Sequence, residues 1–187
     1  VYKREVDKLG LATVAPSVND SLATFTVRDG AIVYGLGALK NVGVDAMQLI
    51  VSARGDKPFA TLFDFARRVD LKRIGKRPLE MLARAGCFDQ LDPNRARVFE
   101  ALDPLSAYSA AIHEAAASSQ VSLFGQAGAD IPEPRLPFRD DWLPVERLSQ
   151  EHQAIGFYLS GHPLDDYMSA LRRKDVKTLA EVTQLAE

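Results

Sequence analysis

The 187-residue sequence predicts a mainly α fold: two helical hairpins in tandem, preceded by a short β or extended N-terminal segment and followed by a flexible linker and a C-terminal helical segment. Three observations carry this. Apolar side chains recur at helical spacing from Ala38 to Leu102, only the stretch "TFTVRDGAIVYGLG" alternates as a strand does, and Pro132, Pro134, Pro137 and Pro144 crowd into thirteen residues.

Taken in order, Val1, Val6 and Leu9 share a helical face, Gly10 stands where a left-handed cap belongs, and "LATV" reads as a short strand. The turn-rich "APSVNDS" leads into a hairpin centred on Asp29-Gly30. From Ala38 the pattern is helical, broken at Asn41-Val42-Gly43 and resumed with Val44, Met47, Ile50 and Val51. Thr61 and Asp64 fit an N-cap with an acidic third residue, ahead of the stripe Leu62, Phe65, Ala66 and Val69. In "GKRPLEMLARAG", Pro78 falls in the first turn and Gly86 closes the helix. Asp92-Pro93 reads as N-cap and first residue of a helix bearing Ala96, Val98, Phe99 and Leu102. An Ala-rich helix with Leu105, Tyr108 and Ile112 then gives way to an extended, unpacked linker. Order resumes near Trp142, with Val145, Leu148 and Ile155 as one helical face and Leu164, Tyr167, Met168 and Leu171 as another. "TLAEVTQLAE" opens with a capping box, Thr178 and Glu181.

The break at Asn41 to Gly43 is the most informative feature. A hairpin between helices leaves the first N–H groups of the second helix without intrahelical partners, and the helix dipole adds partial positive charge there. A phosphate can dock on those donors where small residues let the backbone approach. Asn41 and Gly43 meet that demand, and Val42 between them is expected to pin the hairpin to the core. A second unit is read from the helix Leu79 to Arg84 through "AGCF" to the helix near Pro93, giving a tandem helix-hairpin-helix arrangement. Between the two hairpins, residues 54 to 84 hold nine Lys and Arg against four Asp and Glu, a local charge of +5 in a chain of net −2. Grip through phosphates is independent of base sequence and weakens steeply with salt.

Other chemistry finds little support. Cys87 alone makes no internal disulfide and suits a reducing compartment; His113, His152 and His162 are too scattered for a zinc site. Ser160-Gly161-His162 lacks a third orienting group, and the pairs Asp140-Asp141 and Asp165-Asp166 each send one carboxylate away in either regular structure. No metal site is expected, and no membrane contact, since no run approaches the roughly 20 apolar residues a span needs. The start, "VYKREVDKLG", has no signal-peptide core, and both ends read as cut from a longer chain.

The stretch "YGLGALKNVGVDAMQLIVSARGDKPFATLFDFARRVDLKRIGKRPLEMLARAGCFDQL" resembles the tandem helix-hairpin-helix region of the C-family, bacterial replicative polymerases. "APSVNDS" with Phe25 is similar to the end of that family's fingers domain, and "GFYLSGHPLDDY" to the segment before its OB-fold. The resemblance implies four parts: 1–30, the end of the fingers domain; 31–104, the tandem helix-hairpin-helix domain; 105–144, the Ala-rich helix and linker; and 145–187, a helical segment leading to the OB-fold. It implies double-stranded DNA as a partner, held through Lys40, Asn41, Val42, Gly43, Val44, Asp45, Ala46, Arg54, Lys76, Arg77 and Gly86. Where the family has Gly-hydrophobe-Gly, this chain has Asn41, which tolerates the same left-handed backbone. Nucleotidyl transfer, its carboxylates and their Mg2+ belong to the family's palm domain, so the resemblance implies no cofactor and no catalytic residue here, and a cytoplasmic parent chain with other replicase subunits as partners.

"QVSLF" in the linker offers large apolar anchors in a Ser, Gly and Ala background, the pattern of a segment that orders on binding. It resembles the clamp-binding peptide of bacterial sliding-clamp partners, which implies that Gln120 bonds at a pocket rim while Leu123 and Phe124 fill the pocket. Two further readings stay open on the residues: a protein-interaction scaffold with structural hairpins, and the same region of the error-prone paralogue.

Overall fold

The computed structural model describes Val6, residues 9–119, residues 131–174 and residues 176–177. The helix expected across Val1, Val6 and Leu9 lies mostly outside them, as does the capping box at Thr178 and Glu181. Gly10 takes the left-handed backbone expected of a cap, at φ 67°, and the Leu11 N–H donates to the Val6 carbonyl. Strand β1 (Thr13–Val14) pairs in parallel with β3 (Ala31–Val33), which pairs antiparallel with β2 (Thr26–Arg28). The β2–β3 turn is Asp29-Gly30, at φ 53° and 77°, the double positive φ of a two-residue hairpin.

A division at residue 30 therefore runs through this turn, and the chain on both sides of it packs on one core. Val18 is fully buried among the helices, and the Asn19 side chain exchanges two hydrogen bonds with the backbone of Phe59, at 2.8 and 3.0 Å.

The stretch before the break is a single 3-10 turn, Leu36–Ala38, and not the helix the apolar pattern suggests. Its backbone is already committed: the N–H groups of Leu36 and Gly37 donate to the carbonyls of Leu22 and Ala23. A Cβ on Gly37 would stand 2.8 Å from the Ala23 oxygen, so glycine permits the close approach.

Helix α1 (Val44–Arg54) buries Met47 and Ile50. Helix α2 (Leu62–Arg68) is capped as expected, the Thr61 hydroxyl accepting from the Asp64 N–H at 3.0 Å, with Leu62, Phe65, Ala66 and Val69 buried. A four-residue helix without an apolar stripe of its own, α3 (Leu71–Ile74), starts at an Asp70 cap and buries both its ends. Helix α4 (Lys76–Arg84) carries Pro78 in its first turn, where no N–H is missed. It ends in a Schellman motif: Gly86 N–H donates to Ala83 and Cys87 N–H to Leu82.

Helix α5 (Arg95–Ser119) begins two residues later than expected, because Asn94 and not Asp92 accepts the capping bond, from Arg97 N–H at 2.9 Å. It runs unbroken through Pro104, so the boundary expected at residue 104 falls inside a helix. Beyond the proline, Leu105 and Tyr108 are buried, and the Ser109 hydroxyl donates to the Val69 carbonyl at 2.8 Å while accepting from Leu71 N–H. Packing against the α2–α3 junction thus offsets the lost helical bond.

The described part of the linker, residues 131–143, is extended, as its prolines require, yet it is docked and not free. Ile131 and Leu136 lie on the core, Trp142 packs 5.8 Å from Phe99, and the Ala96 N–H donates to Asp141. Helix α6 (Pro144–Ile155) follows, capped by Gly156 at φ 99°. Its buried face is Glu151, Ala154 and Ile155, and the expected core residue Val145 is half exposed. A 3-10 turn (Asp165–Tyr167) and α7 (Met168–Arg173) complete the described chain, with Leu164 and Tyr167 exposed.

Candidate nucleic-acid interface

Residues 39 to 43 form a tight hairpin anchored at both ends. Leu39 is buried, Val42 packs half-buried on the core as expected, and the Lys40 N–H donates to the Ala154 carbonyl at 2.8 Å. Asn41 takes the left-handed conformation, at φ 58°. Gly43 does not: it is extended, at φ −84° and ψ 138°, and serves as the N-cap of α1 without a side-chain cap. A Cβ on Gly43 would meet nothing within 4 Å, so neither backbone strain nor packing in this chain requires glycine there. Its exposed backbone leads into Val44, Asp45 and Ala46. The first bond inside α1 is Met47 N–H to Gly43 at 3.2 Å, so the N–H groups of 44 to 46 point past the helix end. The Asp45 carboxylate shares this turn and offsets part of the helix-end charge.

The basic residues divide into two sets. Arg54 is buried and donates from Nη1 to the carbonyls of Val18 and Ser21, at 2.9 and 2.8 Å. Burial pushes its pKa down, Asp20 opposing and Arg28 adding to that effect. Its guanidinium is spent on backbone carbonyls inside the protein and not presented at the surface, unlike the DNA contact expected of it. Arg68 donates to the carbonyls of Ala53, Arg54 and Lys57 and closes the end of α1, stacked 4.6 Å from the Phe59 ring. Arg67 donates to the Tyr108 hydroxyl at 3.0 Å and to Glu133 at 2.6 Å; Arg84 bonds Gln150 and Gln153 over the face of Phe99. Arg54, Arg68 and Arg84 are thus tied into the fold, while Arg67 is itself exposed and spends its guanidinium on Tyr108 and Glu133.

Lys57, Lys72, Arg73, Lys76 and Arg77 are exposed. Four of them bracket Gly75, at φ 88°, which joins α3 to α4. The first turn of α4 holds no acidic residue, so two cations sit against the positive end of a helix, an arrangement that an external anion relieves. Lys76 leans on Asp103 at 2.8 Å, and that carboxylate raises its pKa.

The expected second hairpin at "AGCF" is a different object. Gly86 is buried, at φ 78°, and a Cβ there would overlap the Arg95 guanidinium at 2.1 to 2.5 Å. The glycine makes room for a buried arginine and no backbone is left open to a phosphate, which corrects its assignment to DNA. The basic pairs around glycine in "LKRIGKRP" were the signal for the α3–α4 turn.

Gln120, Leu123 and Phe124 lie outside the described residues. Among the described residues, no three His, Cys, Asp or Glu are placed to hold a metal ion, and no helix is long and apolar enough to cross a membrane.

A helix-hairpin-helix motif model matches residues 10–98, a range that takes in both exposed surfaces. The chain is 41% identical over 188 residues to the DNA polymerase III subunit alpha of Caulobacter vibrioides, covering all of this chain and 16% of that protein. The same subunit of Vibrio cholerae is 38% identical over 90% of the chain, and that of Campylobacter jejuni 32% over all of it. The chain belongs to the DNA polymerase III alpha subunit family. It spans about one sixth of the length of the curated relatives it matches. The likeness to Caulobacter and Campylobacter alpha subunits continues past residue 98, through the docked 131–143 segment and α6.

Proposed function

We propose that this segment grips double-stranded DNA through its phosphates, without reading sequence, and tethers its parent alpha subunit to the sliding clamp, supporting processive replication. One observation carries the DNA half: the exposed 41–46 turn, whose open Gly43 and outward N–H groups no contact among the described residues explains. The basic α3–Gly75–α4 turn, with Lys76 and Arg77, supplies the second grip. The resemblance of "QVSLF" to clamp-binding peptides supports the tether. Nucleotidyl transfer and its Mg2+ belong to other parts of a cytoplasmic parent chain, where further replicase subunits bind.

Titration of a short mixed-sequence duplex tests the grip. Lys40→Glu and Arg77→Glu are each expected to lower affinity about tenfold at roughly 0.1 M salt and to flatten the logarithmic salt slope by about one. Unchanged affinity in both variants would leave the hairpins as scaffold only. For the tether, Leu123→Ala with Phe124→Ala is expected to abolish binding to purified clamp while duplex affinity stays as in wild type; equal clamp affinity sinks that half alone.

A further inference from the structure

We infer that the C-terminal end of α6 is a positioning element for the 39–43 hairpin, so that the DNA grip extends to residue 156, well beyond the matched motif. The inference rests on the DNA reading above for its functional consequence, and on geometry for the brace itself.

Among the described residues, the end of α6 meets the hairpin backbone directly. The Lys40 N–H, one residue before the left-handed Asn41, donates to the Ala154 carbonyl at 2.8 Å. That carbonyl lies in the last turn of α6, whose final carbonyls have no acceptor role inside the helix. One orphan acceptor and one hairpin donor thus satisfy each other. Two residues on, Gly156 takes φ 99°, and the Lys40 side chain runs over it: a Cβ there would stand 2.8 Å from Lys40 Cε and 3.3 Å from Nζ. Glycine at 156 therefore does two things. It lets α6 end in a left-handed cap, and it leaves the groove in which the Lys40 stem is laid.

The brace is itself held firmly. Ala154 and Ile155 are buried, and Glu151, three residues before Ala154, is fixed by Arg95 and by the N–H groups of Leu159 and Ser160. The chain after residue 156 is bonded to α6 through those two N–H groups, and α6 to the hairpin through Ala154. Lys40 and the α1 N-terminus are thereby mechanically tied to the chain that follows.

The test compares the full chain with Gly156→Ala and with Gly161→Ala, a nearby glycine at ordinary φ where a Cβ meets nothing closer than 3.4 Å. In Gly156→Ala the Lys40 amide is expected to exchange with deuterium about tenfold faster, at a temperature where the protein stays folded. Duplex affinity is expected to fall about threefold to tenfold and the salt slope to flatten by about one, which a general loss of stability would not produce. Gly161→Ala should match wild type in all three. Should Gly156→Ala fail to fold, Gly156→Asn keeps the left-handed cap while still placing a Cβ on Lys40, and the same loss of affinity and slope is expected. Unchanged Lys40 exchange in Gly156→Ala overturns the brace; faster exchange with wild-type affinity and slope overturns its role in the grip. If the wild-type chain itself binds no duplex at low salt, the DNA reading falls and the positioning role falls with it, while the exchange data still decide whether α6 holds the hairpin.

Discussion

Replacing Glu151 with alanine is expected to lower the stability of the chain by about 3–5 kcal/mol, read as a shift in the urea unfolding midpoint. The side chain is 2% exposed and every polar atom of it is in use. Oε1 accepts from the N–H groups of Leu159 and Ser160 at 2.7 and 2.9 Å, and Oε2 faces Arg95 Nη1 at 3.5 Å. Arg95 lies over Gly86 and donates to both carboxylate oxygens of Asp89, at 2.9 and 2.7 Å. Burial alone would depress the Arg95 pKa; its hydrogen bonds and attraction to Asp89, with the charge of Glu151 behind, reverse that and raise it. Asp89 is also reached by Arg147, which bonds Asp141 in the docked linker. Five charged groups thus join the end of α4, the start of α5, the linker and α6. Truncating Glu151 strands two backbone donors and leaves Arg95 with half its counter-charge in a dry site. Glu151→Gln keeps an acceptor for the two N–H groups and is expected to cost less, about 1–2 kcal/mol. A loss below about 1 kcal/mol in Glu151→Ala would show that this carboxylate adds little to the other contacts that hold α6.

That network marks where the sequence stops being legible. Elements built on local rules are readable in advance: the Thr61 cap with its apolar stripe, the Asp29-Gly30 hairpin, Pro78 in a first turn, Gly10 and Gly86 as left-handed ends. Each depends on bonds that close within a few residues. What resists reading depends on partners far along the chain. Leu36 is a 3-10 turn because its N–H bonds residue 22; α5 passes Pro104 because Ser109 and Tyr108 hold it against α2 and α3. Glu151 and Arg95 carry the polarity of surface residues and sit in the interior, since only the fold brings them together. The same holds for the site. The 41–43 break is visible as a local interruption, whereas which arginines face outward is decided by which carbonyls the fold leaves open for them. At Gly86 a buried guanidinium needs the space, whereas Gly75, at φ 88°, is partly buried between exposed basic pairs.

Arg54 turns that distinction into the second large effect. Arg54→Glu is expected to destabilise the chain by at least about 3 kcal/mol, because it buries an unpaired carboxylate against two carbonyl oxygens. Arg54→Met, which keeps the stem and strands only the carbonyls of Val18 and Ser21, is expected to cost about 2–3 kcal/mol. Those carbonyls belong to the 17–21 loop, whose other ties include Val18 N–H to Cys87 at 2.9 Å, Asn19 to Phe59, and Gln90 and Arg28 to Asp20. Losing Arg54 therefore releases the edge of the core on which α1 rests. At low temperature, where Arg54→Met remains folded, its duplex affinity and salt slope are expected to stay within about twofold of wild type, since no phosphate contact has been removed. Lys40→Glu is expected to do the reverse, cutting affinity with little change in the urea midpoint, because its side chain is exposed. The two variants separate a residue that builds the grip from one that touches what is gripped. If Arg54→Met flattened the salt slope as Lys40→Glu does, the guanidinium would have to leave Val18 and Ser21 for a phosphate. The grip would then require the 17–21 loop to open, and the closed arrangement of the core would be its DNA-free form alone.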